Sequence, residues 1–314
     1  MTNTSAQGPR LHLGINTCFA VKRWPEPRDW ARIAKEDLGL DVVQLSIDLL
    51  PVGFDPAPAL AYAKRARQAA EEYDLEIHSL FTGLAAYSSG LLLSDDPGDR
   101  AAAYNWYEQM VAVTVAAGAR GVGGHLGALS VGAAADAHRA RTLIDDELAA
   151  MRKLADTAQA AGLDHLQFEN LAVTREYGHS IDEAHAVEDA LADTAIPWRL
   201  CLDLGHPAAL DSETPSGHID NWIRETWRHT PVVQLQQSPR GADHHGPFTA
   251  ATQAAGTVDA TVVVDQLRQS WTGDVYLFFE IIHAHEHPDD AVLADLRDSV
   301  ATWRAALSSA QQPA

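Results

Sequence analysis

Eight short apolar runs, each followed by a stretch of helical periodicity, recur along the 314 residues, and no other feature narrows the fold as far. The runs span residues 11–17, 42–47, 75–80, 118–125, 166–169, 198–204, 232–237 and 275–282. The helical stretches span 28–38, 59–73, 100–117, 140–161, 180–192, 219–229, 259–270 and 289–307. Two of the boundaries are signalled chemically. Ser180-Ile-Asp-Glu183 has the form of a capping box, and Gly162 suits the left-handed position after a helix. Runs that are apolar throughout read as parallel strands buried on both faces. Strand-then-helix repeated eight times predicts a single (β/α)8 TIM barrel of the α/β class. A doubly wound open sheet is the alternative, but no Gly-x-Gly-x-x-Gly run follows the first strand and no Walker-type Lys follows a glycine loop. The expected organisation is a tail over 1–10, one barrel over 11–307 and a frayed tail over 308–314, with 51–58 and 82–99 as loops.

Composition limits the partners. Lys plus Arg total 23 against 43 for Asp plus Glu, a formal net charge of −20, which argues against nucleic acid but leaves room for a small anionic substrate held by one or two local cations. The chain is 46% hydrophobic, which supplies ample core material. No apolar run is long enough to span a bilayer, and residues 1–10 lack the apolar segment of a secretory signal, so neither membrane nor export is expected. Two cysteines, Cys18 and Cys201, fit a reduced cytoplasm better than a disulfide framework. Homo-oligomerisation is left open.

Polar residues close the apolar runs of strands five to eight. Glu169 follows Leu-Gln-Phe, Asp203 ends Arg199-Leu-Cys-Leu-Asp203, Gln236 follows Val-Gln-Leu, and Glu280 follows Tyr-Leu-Phe-Phe. In a (β/α)8 barrel these positions converge on one mouth. Each alone reads equally well as a strand-end hydrogen bond or a helix cap. Together they place three carboxylates and an amide in one desolvated site, where a divalent cation relieves the repulsion. Oxygen ligands favour Mn2+ or Mg2+, with Co2+ and Zn2+ as alternatives.

Phe168-Glu169-Asn170, Leu202-Asp203-Leu204-Gly205-His206 and Phe279-Glu280 resemble the fifth, sixth and eighth strand motifs of the xylose isomerase-like barrel superfamily. Its members include sugar and sugar-phosphate isomerases and epimerases, inosose dehydratases and an endonuclease IV type of repair enzyme. The resemblance implies that Glu169, Asp203, Gln236 and Glu280 hold the metal. It also implies that Glu169 and Glu280 act as the acid/base pair, with His206 positioning the substrate. The seventh-strand residue in the family is commonly His. Gln236 departs from that, although its carbonyl oxygen can serve a hard cation.

The run after the seventh strand, Leu235 to Phe248, resembles the branch containing tetrulose-phosphate isomerases or epimerases and a decarboxylase of branched oxo-sugar acids. Within it, Arg240 is a candidate for a substrate phosphate or carboxylate, and His244 and His245 for proton transfer or metal ligation in place of Gln236. At least one of the two is expected to be solvated. His125 and His78 are candidates for the far side of the mouth. Trp24, with Lys22 and Arg23, reads as loop packing. The leading expectation is a metal-dependent isomerase or epimerase of a small ketose or ketose phosphate, working through a metal-bound enediolate with two Glu. A metal-dependent lyase or decarboxylase acting on an oxo-sugar acid is the alternative. A repair nuclease or a catalytically silent scaffold lies outside both.

Overall fold

The computed structural model describes residues 8–51, 55–226, 228 and 230–309. The expected tails at 1–7 and 310–314, part of the loop at 52–54 and positions 227 and 229 lie outside the described residues. Strands β1 (Arg10–Asn16), β2 (Val42–Ser46), β3 (Glu76–Phe81), β4 (Gly121–Gly124), β5 (His165–Glu169), β6 (Trp198–Asp203), β7 (Val232–Leu235) and β8 (Asp274–Phe279) form a closed barrel. Every neighbouring pair is parallel, and β8 returns to pair with β1. The helices are α1 (Pro27–Arg32), α2 (Ala57–Glu72), α3 (Leu84–Tyr87), α4 (Pro97–Ala117), α5 (Val131–Ala134), α6 (Ala137–Ala160), α7 (Ile181–Ala190), α8 (Ile219–Thr226), α9 (Ala250–Gln253), α10 (Ala260–Ser270) and α11 (Asp289–Ser309). Among the described residues no helix is long and apolar enough to cross a membrane.

The alternation predicted the elements, and local chemistry moved their ends. Helix α4 starts at Pro97 because the Asp96 side chain accepts from Gly98 N and Asp99 N, and proline suits a first turn whose N–H is unsatisfied anyway. Asp136 caps α6 in the same way, four residues before the apolar periodicity begins. Ser180 caps α7 as expected, but the Glu183 carboxylate turns to Gly178 N and His179 instead of closing a reciprocal box. Short α3 arises inside the stretch 82–99 that reads as a loop and carries Tyr87, and short α5 precedes α6, outside the predicted helical stretches.

Strand parity sorts side chains into two sets. The outward set packs against the helices in a core that includes Trp30, Trp222 and Trp303. The inward set fills the barrel in tiers. Near the N-terminal ends His12, His78, His165 and Tyr276 are in ring contact. Above them lies a tier of amides: Asn16 Nδ2 and Gln234 Nε2 each donate to Gln44 Oε1 at 2.9 Å, and Gln44 Nε2 reaches Gln167 Oε1 at 3.5 Å. At the C-terminal ends stand Glu169, Asp203 and Glu280.

The glycines of β4 make room for this filling. A Cβ at Gly123 would collide with the backbone carbonyl of Gln167, and one at Gly121 with the imidazole of His165. Since the obstacle at Gly123 is backbone, it cannot swing aside. Gly123→Ala is therefore expected to cost at the upper end of the roughly 1–3 kcal/mol typical of overpacking, lowering Tm by about 5 °C or more. Gly132→Ala, whose Cβ would meet only Ser130 Oγ at 3.8 Å, serves as the control and should not lower Tm. Equal melting temperatures for the two variants would contradict this packing account.

Candidate metal and active site

The mouth is assembled from strand ends. Glu169 is the last residue of β5 and Asp203 the last of β6, while Glu280 follows β8 directly, its N–H on Leu235 O at 3.0 Å. All three carboxylates are buried. One oxygen from each lies within 4.8 Å of the other two, a spacing that one cation can span.

Each carboxylate is held differently. Asp203 Oδ1 accepts from Gly205 N at 2.6 Å and His206 N at 3.1 Å, closing an Asx turn that starts the next 3-10 turn. Asp203 Oδ2 is buried with no hydrogen-bond partner. Such an atom is costly unless it faces a cation, so this donor set fits a metal. The Asn170 side chain adds a rung between β5 and β6. Its Oδ1 accepts from Asp203 N at 2.7 Å and its Nδ2 donates to Asp203 O at 3.0 Å. Glu280 Oε1 accepts from Gln234 Nε2 at 3.0 Å and from Asn16 Nδ2 at 3.2 Å, so the amide tier fixes that carboxylate from below.

Histidines complete the near side. His206 Nδ1 lies 2.6 Å from Asn170 O and donates to it, which leaves Nε2 facing Asp243 Oδ2 at 3.5 Å and Asp203 Oδ2 at 3.9 Å. His245 adopts φ +45°, a left-handed conformation strained for a residue with a Cβ. That turn sets its ring between Asp243 Oδ2 at 3.4 Å and Glu280 Oε2 at 3.5 Å. Gln236 is fully buried, with Oε1 accepting from Ser238 Oγ at 2.6 Å and Nε2 donating to Asp243 Oδ1 at 2.7 Å. Gly205 is needed beside it, because a Cβ there would overlap the Gln236 amide.

A cavity of about 210 Å³ opens above these groups. Phe81, Leu84, Leu171 and Ile282 give it apolar walls, and Tyr87 and His125 stand among its lining residues. His125 Nδ1 lies 3.5 Å from Glu176 Oε1, and the Tyr87 hydroxyl 3.4 Å from Glu176 Oε2. Burial holds His125 down at about 4 and pushes Glu176 up to about 7. Among the described residues lining the cavity, none is Lys or Arg.

Three expected substrate contacts lie elsewhere. His78 sits in the lower tier against His165 and Tyr276, because it falls early in β3, where the register with β2 slips between Val43 and Gln44. Arg240 points away from the mouth. Its Nη1 donates to Gly217 O at 2.6 Å and Pro207 O at 3.3 Å, so the guanidinium ties down the loop after β6. His244 is exposed, and its backbone N–H donates to Ser238 Oγ at 2.8 Å. Sequence reasoning passed over Asp243, Tyr87, Glu176 and the donors Asn16 and Gln234. Asn16 gave a usable signal, since it stands one residue before the end of the first apolar run, near where Glu169 closes the fifth.

Burial, then the charges of Glu280 and Asp203, push Glu169 well above the usual carboxylate range. Burial likewise pushes Glu280 up to about 8, with His245 opposing and Asp203 and Asp243 adding. Burial alone would lower His245, but its hydrogen bond with Asp243 and the charge of Glu280 raise it to about 10. Groups with raised pKa take up protons on folding. Their stabilisation is full below the unfolded values of about 4.3 for Glu and 6.5 for His, and it is lost as pH climbs through the folded values. His125 and His78, depressed to about 4 and about 3, act oppositely, but only below about pH 6.5. The metal-free chain should therefore lose thermal stability between about pH 6.5 and 8.5, and the Tm gain on adding Mn2+ should grow over that window. A Mn2+ gain independent of pH would contradict the competition between protons and a cation for these carboxylates.

A family profile described as xylose isomerase-like TIM barrel matches residues 32–303. D-erythrulose 1-phosphate 3-epimerase of Brucella abortus is 24% identical over 297 residues, covering 93% of this chain and 95% of the relative. A crystal structure described as a putative xylose isomerase from Rhodospirillum rubrum superposes with TM-score 0.89 at 28% identity, over 94% of this chain and 99% of the other. D-allulose 3-epimerase from Methylomonas sp. has the same fold, with TM-score 0.65 at 19% identity, over 98% and 99% of the two chains. With the profile spanning most of its length, this chain belongs to the xylose isomerase-like TIM barrel family.

Proposed function

We propose that the chain is a divalent-metal-dependent sugar epimerase or isomerase, acting beside the carbonyl of a small ketose or ketose phosphate. The observation that carries this reading is the set of three buried carboxylates, Glu169, Asp203 and Glu280, gathered within 4.8 Å below one cavity. The similarity to an erythrulose-phosphate epimerase supports it. The cavity, about 210 Å³, is below the roughly 300–1,000 Å³ of pockets built for drug-sized ligands, which suits a substrate of a few carbons.

Glu169, Asp203 and Glu280 would hold Mn2+ or Mg2+, with Gln236 as fourth ligand through the lone pair that Ser238 leaves free on Oε1. When bound, the cation supplies Lewis acidity that makes the proton on the carbon next to the carbonyl removable. Glu169 and Glu280 then divide the proton work. One takes the proton from that carbon and the other returns it to the opposite face, which inverts the centre. Glu280 is anchored through Oε1 by two amides, so its Oε2, which has His245 Nδ1 at 3.5 Å, is the oxygen turned to the substrate. His206, with Nδ1 committed to Asn170 O, offers Nε2 to a substrate hydroxyl. Phe81, Leu84, Leu171 and Ile282 limit the water that would quench the carbanionic species. Arg240, the candidate clamp for a substrate phosphate or carboxylate, gives its Nη1 to two backbone carbonyls, so neither the phosphorylated-substrate reading nor the decarboxylase alternative draws support from it.

The Mn2+-loaded chain, incubated in D2O with tetruloses and pentuloses, free and phosphorylated, should place carbon-bound deuterium beside the carbonyl and yield the epimer or the aldose. Release of carbon dioxide from an oxo-sugar acid, with no deuterium in any recovered sugar, would instead establish lyase chemistry. Glu169→Gln and Glu280→Gln should each lower kcat by about 10²–10⁴. Gln236→Leu should weaken Mn2+ binding and abolish turnover with the fold intact. Should Gln236→Leu bind Mn2+ like the parent while His245→Leu strips it, the fourth ligand is the histidine.

A further inference from the structure

A second set of metal-ligating side chains stands on the rim of the barrel, apart from the carboxylate cluster. His283 lies three residues beyond Glu280, His287 one turn further along the same loop, and Asp295 on α11. Asp295 Oδ2 is 3.1 Å from His283 Nε2 and 3.7 Å from His287 Nε2, and the three ligand atoms all lie within 4.8 Å of one another. The two imidazoles are nearly parallel, 13° between planes, with centroids 5.4 Å apart. We propose that His283, His287 and Asp295 bind a second divalent cation of the borderline class, Zn2+, Co2+ or Ni2+.

The distances separate this reading from plain hydrogen bonding. The His283 contact is short enough for a hydrogen bond to Asp295, but 3.7 Å from His287 is too long for one. A tetrahedral ion with donors at roughly 2.0–2.2 Å holds them about 3.4 Å apart, a value that the two observed separations bracket. Two rings aiming Nε2 at such an ion would have centroids about 5 Å apart, close to the spacing here. Three protein ligands leave a further coordination position. The His283 side chain is 7% exposed and that of His287 42%, so that position faces solvent.

The scaffold holds the ligands in place without metal. Arg23 Nη1 donates to His287 O at 2.8 Å and pairs with Asp289 at 2.5 Å, while Nη2 donates to Ala284 O at 2.6 Å. The loop between the two histidines is thereby pinned, and the positive charge of Arg23 is answered by Asp289. Two nitrogens and one oxygen make a softer donor set than the all-carboxylate cluster, so the two sites should select different ions.

Cobalt titration of the untagged, chelator-stripped chain tests the proposal. A Glu169→Gln/Asp203→Asn variant weakens the mouth, and the Co2+ it still takes up is assigned to the rim by its loss when a rim ligand is removed. It should bind one Co2+ per chain and develop the visible absorption of a low-coordinate, nitrogen-ligated ion. Adding His287→Ala, a change at a half-exposed side chain, should weaken that binding tenfold or more and remove the absorption. As a check free of mouth mutations, the parent saturated with Mn2+ should take up one Co2+ while its bound-Mn2+ resonance signal stays unchanged. One-for-one displacement of Mn2+ by Co2+, or rim binding indifferent to both His287→Ala and Asp295→Ala, would overturn the proposal.

Discussion

Mutual repulsion among Glu169, Asp203 and Glu280 is the constraint around which the upper half of the barrel is arranged. Two unit charges about 4 Å apart repel by roughly 4 kcal/mol even at an effective dielectric of 20. That exceeds the roughly 0.5–1.5 kcal/mol that an ordinary hydrogen bond contributes net. The Asn16 and Gln234 amides aimed at Glu280 Oε1 therefore position that carboxylate without neutralising it. The donors to Asp203 Oδ1 likewise leave Oδ2 unanswered. Either protons or a cation must make up the difference, and the site's chemistry turns on which one does.

A rigid frame is what allows such repulsion to persist. Eight parallel strands closed on themselves have no edge through which the mouth can splay. The tiers below fill the interior with packed rings and with amides that hydrogen-bond one another. The Asn170 side chain locks the ends of β5 and β6 together where the carboxylates emerge. Two further acidic side chains, Asp243 and Glu176, sit against histidines at the cavity's border, so the acidic lining extends beyond the three carboxylates.

What was legible in the sequence is what strand periodicity encodes. Alternation places Glu169, Asp203 and Gln236 on the inward face, and the end of an apolar run marks the mouth. The β/α spacing was enough to give the barrel and its strand order. What periodicity does not encode is the path of a loop or a slip in register. Arg240 looked like an anion clamp because its residue type suits one, yet the chain after β7 turns its guanidinium onto Pro207 and Gly217 carbonyls. His78 was misplaced because the pairing of β2 with β3 shifts near it. Asp243 and His245 come together in a loop where His245 takes a positive φ, a local strain with no signature in hydrophobic pattern. The amide tier was hidden for another reason: Gln44, Gln167 and Gln234 are polar residues inside runs that read as apolar.

Anomalous diffraction from crystals grown with Mn2+ tests the central claim most directly, because it locates the ion without reference to activity. A manganese peak within about 2.0–2.4 Å of one oxygen from each of Glu169, Asp203 and Glu280 is the expected result. A map with no peak between those carboxylates at saturating Mn2+ would contradict the account, and the three side chains would then have to share protons instead of a cation.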